Sequence, residues 1–212
     1  MMRIVFDLDG TLVDSVPDLS SAVNVMLAGE GLGPLDSATV TGFVGNGLPK
    51  LVERAMAHVG LHPNDHARLT QVTLDAYKAE PTARTRVYPG VEEALARLKA
   101  GGHRLGLCTN KPYDPTVEVL DHFGLGQYFN VVIGGDSLPV KKPDPEPLLH
   151  TLVALGDGPA LYVGDSEVDA ETALRAGVDF VLFTEGYRKS PIEALPHKHT
   201  FSHFRELRGL IG

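Results

Sequence analysis

Two carboxylates stand at the end of the first apolar run of the chain. Asp7 and Asp9 follow the run Ile4-Val5-Phe6, whose branched and aromatic residues are typical of a buried strand. Side chains two residues apart on a strand share one face, and neighbouring carboxylates repel each other without a cation between them. Mg²⁺, which binds oxygen ligands, is the natural cation for such a pair. Taken alone, so short a pattern favours the alternative of solvated acids where a strand becomes a loop.

A second acidic cluster follows a later apolar run. Gly164-Asp165-Ser166 comes directly after Leu161-Tyr162-Val163, and Asp169 lies one helical turn beyond Asp165, so both carboxylates can face one site. The alternative is that Asp165 or Ser166 caps a helix whose N-terminal dipole stabilises Asp169. The residues by themselves leave both interpretations open.

Polar groups that suit a phosphate lie between the two acidic clusters. Thr109 and Asn110 follow the apolar run that ends at Cys108, and they can donate hydrogen bonds to phosphate oxygens. Ordinary turn chemistry is the alternative for this pair. Lys142 precedes a helix predicted to start near Pro145. Beside a carboxylate-rich metal site this lysine would balance charge, whereas the alternative is an exposed loop.

Five strands, with helices between them, must position these residues. The predicted strands are Arg3–Leu8, Arg104–Cys108, Asn130–Ile133, Ala160–Val163 and Phe180–Phe183. Helical patterns alternate with them, which indicates an α/β fold with a doubly wound, Rossmann-like parallel sheet. Ligands of such sheets bind beyond the carboxyl ends of the strands, where most of the candidate residues stand.

Residues 15–83 break this alternation, because only helical patterns occur there. The helices predicted in this stretch, each ending at Gly or before Pro, are Val16–Ala28, Leu48–Val59 and Asp65–Ala79. Such an insert directly after the first strand predicts a helical cap domain over residues 15–83. The α/β core would then comprise residues 1–14 and 84–212.

Composition excludes several classes of partner. The 212 residues are 43% hydrophobic and carry a formal net charge of −8. So acidic a composition gives no indication of a basic surface for nucleic acid or anionic lipid. No apolar run approaches the roughly 20 residues of a membrane span, and the N-terminal run is too short for a signal peptide. The single cysteine, Cys108, excludes an internal disulfide. We therefore expect a cytoplasmic monomer or homodimer that binds neither nucleic acid nor a membrane.

In this order, the candidate residues resemble the motifs of the haloacid dehalogenase superfamily of phosphotransferases. Asp7-Leu8-Asp9-Gly10-Thr11 is similar to the first motif, Thr109 to the second, Lys142 to the third, and Gly164-Asp165-Ser166 with Asp169 to the fourth. The resemblance spans the whole chain, because the helical insert matches the family's cap. Lys142 is preferred over its neighbour Lys141 because it directly precedes Pro143, as in the motif. The family also implies a central first strand, in the sheet order 3-2-1-4-5.

The resemblance implies a catalytic role for Asp7, Asp9, Thr109 and Lys142, and a substrate-binding role for Thr109, Asn110 and Lys142. Asp7 would be the nucleophile that forms an aspartyl-phosphate. Asp9 would protonate the leaving alkoxide and later deprotonate the attacking water. Thr109 and the Asn110 amide would hold the transferring phosphoryl oxygens, with Lys142 supplying positive charge.

The resemblance also implies a magnesium site. Asp7, the backbone carbonyl of Asp9, and Asp165 would bind Mg²⁺, while Asp169 would orient the metal shell through water. The substrate implied is a small phosphorylated metabolite. Further strings are similar to bacterial phosphoglycolate phosphatases, which implies hydrolysis of 2-phosphoglycolate to glycolate and phosphate; they are Phe43–Gly47, Tyr88–Val91, Thr109–Pro112 and Gly134–Pro145.

The predicted cap offers candidates for substrate selection. Gly45-Asn46-Gly47 allows close approach to a small anion, and Lys50 and Arg54 on the following helix can reach a carboxylate. The alternatives are that Gly47 only starts the helix and that both cations lie on a solvated helix face.

Related enzyme activities differ in whether they keep a second acid at the position of Asp9. Haloacid dehalogenases and phosphonate hydrolases generally lack the second acid, so Asp9 counts against both. Other small-metabolite phosphatases and β-phosphoglucomutase-like phosphotransferases keep it and stay open as alternatives. A receiver-like phospho-acceptor switch uses similar groups, but the helical insert and Asp9 favour an enzyme. Release of inorganic phosphate separates a phosphatase from a mutase and from a switch.

Overall fold

The computed structural model describes residues 1–211, and these form two compact units. The first unit comprises Met1–Asp14 and the chain from Val87 onward, and the second comprises Ser15–Arg86. The second unit thus ends at Arg86, whereas the sequence predicted residue 83. Within residues 1–211, no helix combines the length and the apolar character needed to cross a membrane.

A parallel sheet forms the centre of the first unit. The strands of the chain are β1 (Arg3–Phe6), β2 (Val13–Asp14), β3 (Arg86–Val87), β4 (Arg104–Cys108), β5 (Val131–Ile133), β6 (Ala160–Gly164), β7 (Asp179–Phe183) and β8 (His199–Phe201). Six of them form one sheet in the order β5-β4-β1-β6-β7-β8, with every pair parallel. The predicted fold class and the order of the five predicted strands are confirmed.

The edge strand β8 was not predicted. It has three residues, of which only Phe201 is buried, so the sequence lacks the apolar run that marks the other strands. Phe201 packs with Phe183 and Phe204 at ring-centroid distances of 5.1 Å each. This aromatic contact, together with pairing to β7, explains why so polar a segment is a strand.

The helices of the second unit agree with the predicted ones and add a short one. They are α1 (Val16–Gly29), α2 (Ser37–Thr41), α3 (Leu48–Val59) and α4 (His66–Ala79). The unpredicted α2 is too short for an apolar period, and its start is fixed by Asp36, whose carboxylate accepts a hydrogen bond from the Thr39 amide at 2.8 Å.

A buried aspartate explains why the second unit extends beyond residue 83. Asp18 on α1 is 3% exposed. Its carboxylate accepts hydrogen bonds from the backbone amides of Arg84 and Thr85, at 2.7–3.1 Å, and from the Thr85 hydroxyl at 2.6 Å. These bonds attach the returning chain to α1. The sequence shows no periodic signal for such a contact.

Helices cover both faces of the sheet in the first unit. They are α5 (Val91–Ala100), α6 (Tyr113–His122), α7 (Glu146–Ala154), α8 (Glu167–Ala176) and α9 (Leu207–Ile211). Ile4 and Phe6 on β1 pack into a core with α5, α6 and α9, whereas Val5 packs into a second core with α7 and α8. This alternation along the central strand is what a sheet covered on both sides requires.

Candidate active site

The sheet brings the carboxyl ends of three neighbouring strands to one edge. Phe6 on β1 lies opposite Leu107 on β4 and Val163 on β6. The residues that follow these strands, Asp7, Thr109 and Asp165, therefore lie at the same edge. The Asp7 amide continues the sheet by donating to the Val163 carbonyl at 2.9 Å.

Three buried carboxylates cluster at this edge. Asp7, Asp165 and Asp169 each offer an oxygen atom, and these oxygens lie within 4.8 Å of one another. The residues are 8%, 1% and 0% exposed, respectively. Buried charges of one sign this close are costly unless opposite charge compensates them.

Lys142 supplies part of that compensation. Its Nζ lies 2.9 Å from Asp7 Oδ1, 2.7 Å from Asp169 Oδ1 and 2.8 Å from the Tyr162 hydroxyl. Burial opposes the charged form, but Asp169 and Asp7 outweigh it and raise the pKa of Lys142 above its ordinary value. The neighbouring Lys141 is exposed. The structure thus places Lys142, and not Lys141, among the carboxylates.

Asp169 uses both of its oxygens within the protein. Oδ1 accepts hydrogen bonds from Lys142 and from the Tyr162 hydroxyl at 2.8 Å, while Oδ2 accepts from the Ser166 amide and hydroxyl at 3.1 and 2.7 Å. Although burial opposes it, Lys142 lowers the pKa of Asp169 below its ordinary value. Asp169 therefore caps the start of α8 with Ser166 and also faces the cluster, so the two sequence interpretations are compatible.

Asp7 and Asp165 remain short of positive charge. Burial raises the pKa of Asp7 from 3.8 to about 7, despite the opposing effect of Lys142. Burial, followed by repulsion from Asp169 and Asp7, raises the pKa of Asp165 well above its ordinary value. Carboxylate oxygens with this deficit are the donor set that a hard divalent cation binds. The cluster therefore fits the expected metal.

Asp9 lies in a different environment from Asp7. Its side chain is 17% exposed, and its two oxygens lie 3.2 and 3.4 Å from Lys111 Nζ. Lys111 was not among the predicted site residues, although it stands two positions after Thr109. No local pattern distinguishes such a lysine from a solvated one, because its burial depends on the fold.

The loop after β4 holds its polar residues through internal hydrogen bonds. Thr109 Oγ1 accepts from the Lys111 amide at 3.2 Å, and Asn110 Nδ2 donates to the Lys142 carbonyl at 3.0 Å. The second contact joins two of the predicted motifs directly. Tyr162, which also contacts Lys142, was missed because it stands inside an apolar run; a buried tyrosine hydroxyl needs a partner, and that signal could have identified it.

The remaining predicted residues belong to the second unit. Gly47 precedes α3 with a φ of 84°, a conformation that favours glycine, so this residue also starts the helix. Asn46 Oδ1 accepts a hydrogen bond from Arg54 at 2.7 Å, and Arg54 also donates to the Phe43 carbonyl. Lys50 forms an exposed ion pair with Glu53 at 2.6 Å. Arg54 thus stabilises the Phe43–Asn46 loop rather than extending into solvent.

Asp165 is enclosed by backbone on two sides. Its Oδ1 accepts from the Thr11 hydroxyl at 2.8 Å and its Oδ2 from the Tyr187 amide at 2.6 Å. A Cβ at Gly186 would lie 2.3 Å from the Asp165 Cβ, and one at Gly10 would lie 2.4 Å from Asp165 Oδ2. Neither glycine position has room for a methyl group.

Gly186→Ala is therefore expected to reduce the free energy of unfolding by about 1–3 kcal/mol, the usual cost of overpacking. Denaturant unfolding measures this loss. Gly209→Ala on α9 is the matched control, since a Cβ there meets no described atom within 4 Å; we expect it to change stability by less than about 1 kcal/mol. Equal effects of the two substitutions would contradict the steric account.

Comparison with known proteins identifies the family. The family model described as haloacid dehalogenase-like hydrolase matches residues 4–183. A phosphoglycolate phosphatase of Cereibacter sphaeroides is 52% identical over 213 residues, covering 100% of this chain and 98% of that protein. One from Rhodobacter capsulatus is 42% identical, covering 98% and 95%. The crystal structure of a predicted phosphoglycolate phosphatase from Haemophilus somnus 129PT superposes with a TM-score of 0.92 at 33% identity, covering 99% and 97%. With its acidic cluster at the carboxyl edge of a parallel sheet, this chain belongs to the haloacid dehalogenase-like hydrolase family and is an enzyme.

Proposed function

We propose that this enzyme is a Mg²⁺-dependent phosphatase that hydrolyses 2-phosphoglycolate through an aspartyl-phosphate intermediate. The observation that carries the chemistry is the buried cluster of Asp7, Asp165, Asp169 and Lys142. The names of the relatives support the substrate, since proteins 52% and 42% identical over nearly the whole chain are phosphoglycolate phosphatases.

The metal would be held by Asp7, Asp165 and the backbone carbonyl of Asp9. Asp169 would act through water, because each of its oxygens already accepts at least two hydrogen bonds, whereas each Asp165 oxygen accepts one and can still bind a cation. When bound, Mg²⁺ neutralises the carboxylates and the phosphate and so permits an anion to approach an anionic site.

In the first step, a carboxylate oxygen of Asp7 forms a bond to phosphorus, and the phosphorus–oxygen bond to the glycolate carbon chain breaks. Asp9 gives its proton to the departing alkoxide oxygen. Lys111 lies against both Asp9 oxygens and holds this carboxyl group in place. Thr109, the Asn110 amide and Lys142 hold the phosphoryl oxygens during transfer.

In the second step, a water oxygen forms a bond to phosphorus while Asp9 accepts a water proton. The bond from phosphorus to the Asp7 oxygen breaks, which restores the Asp7 carboxylate and releases inorganic phosphate. Asp9 is then protonated again, ready for the next substrate. Within this proposal, residues 15–86 form the cap, and Asn46, Gly47 and Lys50 are the candidates for recognising the substrate carboxylate.

A phosphate-release panel with and without Mg²⁺ tests the proposal. We expect 2-phosphoglycolate to exceed other small phosphomonoesters in kcat/KM by about tenfold or more, which corresponds to roughly 1.4 kcal/mol of transition-state preference. A kcat/KM that is tenfold higher for another phosphomonoester would overturn the assignment of 2-phosphoglycolate as the substrate. Phosphate retained on the protein would indicate a switch, and phosphate returned to a sugar would indicate a mutase.

A further inference from the structure

The loop after β7 contacts the metal-binding edge through Tyr187. This residue is 7% exposed, and its backbone amide donates to Asp165 Oδ2 at 2.6 Å. Its ring lies close to Gly10, where a Cβ would come within 2.7 Å of Tyr187 Cδ2. The position of Tyr187 therefore helps to determine that of the Asp165 carboxylate.

The same side chain also contacts Asp14. We use the word linker for the two points, at Asp14 and at Val87, where the chain passes from one unit to the other. The Tyr187 hydroxyl donates to Asp14 Oδ1 at 2.8 Å, and Asp14 is the last residue of the first unit before the chain enters the second. On the returning chain, the Tyr88 amide donates to the Leu12 carbonyl at 3.0 Å and the Tyr88 hydroxyl to the Glu185 carbonyl at 3.3 Å. The outgoing and the returning chain are thus both hydrogen-bonded to the loop after β7, Asp14 through Tyr187 and Tyr88 through Glu185.

We propose that Tyr187 is a positioning residue that couples the linker at Asp14 to the Asp165 carboxylate. The inference rests on the proposed function, because it takes Asp165 as a ligand of Mg²⁺. Tyr187 has two side-chain torsions, and burial restricts both, so its amide and its hydroxyl cannot move independently. A displacement of Asp14 is transmitted through the ring to the Tyr187 amide and from there to Asp165.

The coupling predicts an effect on metal affinity from a residue outside the carboxylate cluster. Partners that orient a metal ligand typically change affinity by at least about tenfold when removed. We therefore expect Tyr187→Phe and Asp14→Ala each to weaken Mg²⁺ binding by about tenfold. The double variant should be no weaker than either single one, because both substitutions break the same connection.

Isothermal titration of Mg²⁺ into the substrate-free protein is the measurement, with circular dichroism to verify the fold. Asp14→Ala also removes a negative charge, which changes Mg²⁺ affinity by a long-range electrostatic effect. Because this effect is the same with Tyr or Phe at position 187, it cancels in the double-mutant cycle. Asp14→Asn provides a second check, since it removes the charge but keeps an acceptor for the Tyr187 hydroxyl. We expect this variant to retain affinity close to that of the unaltered protein.

A matched pair on the surface serves as the control. The Tyr128 hydroxyl donates to Glu92 Oε1 at 3.4 Å in an exposed contact, and Tyr128→Phe and Glu92→Ala should leave Mg²⁺ affinity unchanged. Additive effects of the Tyr187 and Asp14 substitutions, or unchanged affinity in Tyr187→Phe, overturn the coupling while leaving the proposed function intact. If the unaltered protein binds no Mg²⁺, the proposed function fails and the coupling fails with it.

Discussion

Asp7→Asn is expected to reduce Mg²⁺-dependent phosphate release by about 10⁴-fold or more, because the amide cannot form the aspartyl-phosphate. The same substitution should stabilise the metal-free protein at pH 8. Burial raises the pKa of Asp7 from 3.8 to about 7, so the folded state holds a proton between these pH values that the unfolded state has released. The free energy of unfolding therefore falls as pH rises through this window.

Asparagine has no carboxylate to ionise and avoids that loss. We expect chelator-treated Asp7→Asn to exceed the unaltered protein in unfolding free energy at pH 8, with the difference vanishing near pH 4. Denaturant titrations at the two pH values measure it. The exposed Asp157 provides the control Asp157→Asn, which should alter neither turnover nor stability. Turnover of Asp7→Asn at the unaltered rate would refute the nucleophile assignment, and a loss of stability at pH 8 would refute the charge argument.

Lys142→Met is expected to abolish activity and to destabilise the protein by about 3–5 kcal/mol, the cost of leaving a buried partner unpaired. The ammonium group lies between Asp7 and Asp169, at 2.9 and 2.7 Å, and methionine fills the space without the charge. Thermal or denaturant unfolding measures the loss, and phosphate release measures the activity.

The adjacent lysine provides a close control. Lys141 is exposed, so Lys141→Met should leave both quantities nearly unchanged. Adding Asp169→Asn to Lys142→Met removes one of the stranded carboxylates and should recover part of the stability without recovering activity. Equal behaviour of the two lysine variants would show that the buried cluster does not determine stability or turnover.

The sheet could be predicted from the sequence because its strands are short, apolar runs bounded by polar residues. Asp7, Thr109 and Asp165 follow such runs directly, and parallel strands place those positions at one edge. Lys142 is different, since it stands in a loop and only the family resemblance distinguished it from Lys141. The strand β8 escaped prediction because it lacks an apolar run, and the helices α2 and α9 escaped it because elements this short have no measurable period.

The partners of Lys111, Tyr162 and Tyr187 could not be assigned from the sequence for a related reason. Each of these residues acts through a contact across a long sequence separation: Lys111 with Asp9, Tyr162 with Lys142, and Tyr187 with Asp165. Local propensity and periodicity contain no information about such pairs. The end of the second unit depended likewise on Asp18, whose partners are more than 60 residues away in sequence.

The confinement of Asp165 has a thermodynamic consequence for ligand binding. Its carboxylate is held by Thr11 and Tyr187 and enclosed by Gly10 and Gly186, so its rotational freedom is lost when the protein folds. Immobilising a side chain on binding usually costs about 0.5–1.5 kcal/mol of entropy. In the proposed function, a cation that binds Asp165 would incur no such cost, because folding has already ordered this carboxylate. The entropy of metal binding would then be governed chiefly by the release of water from the cation.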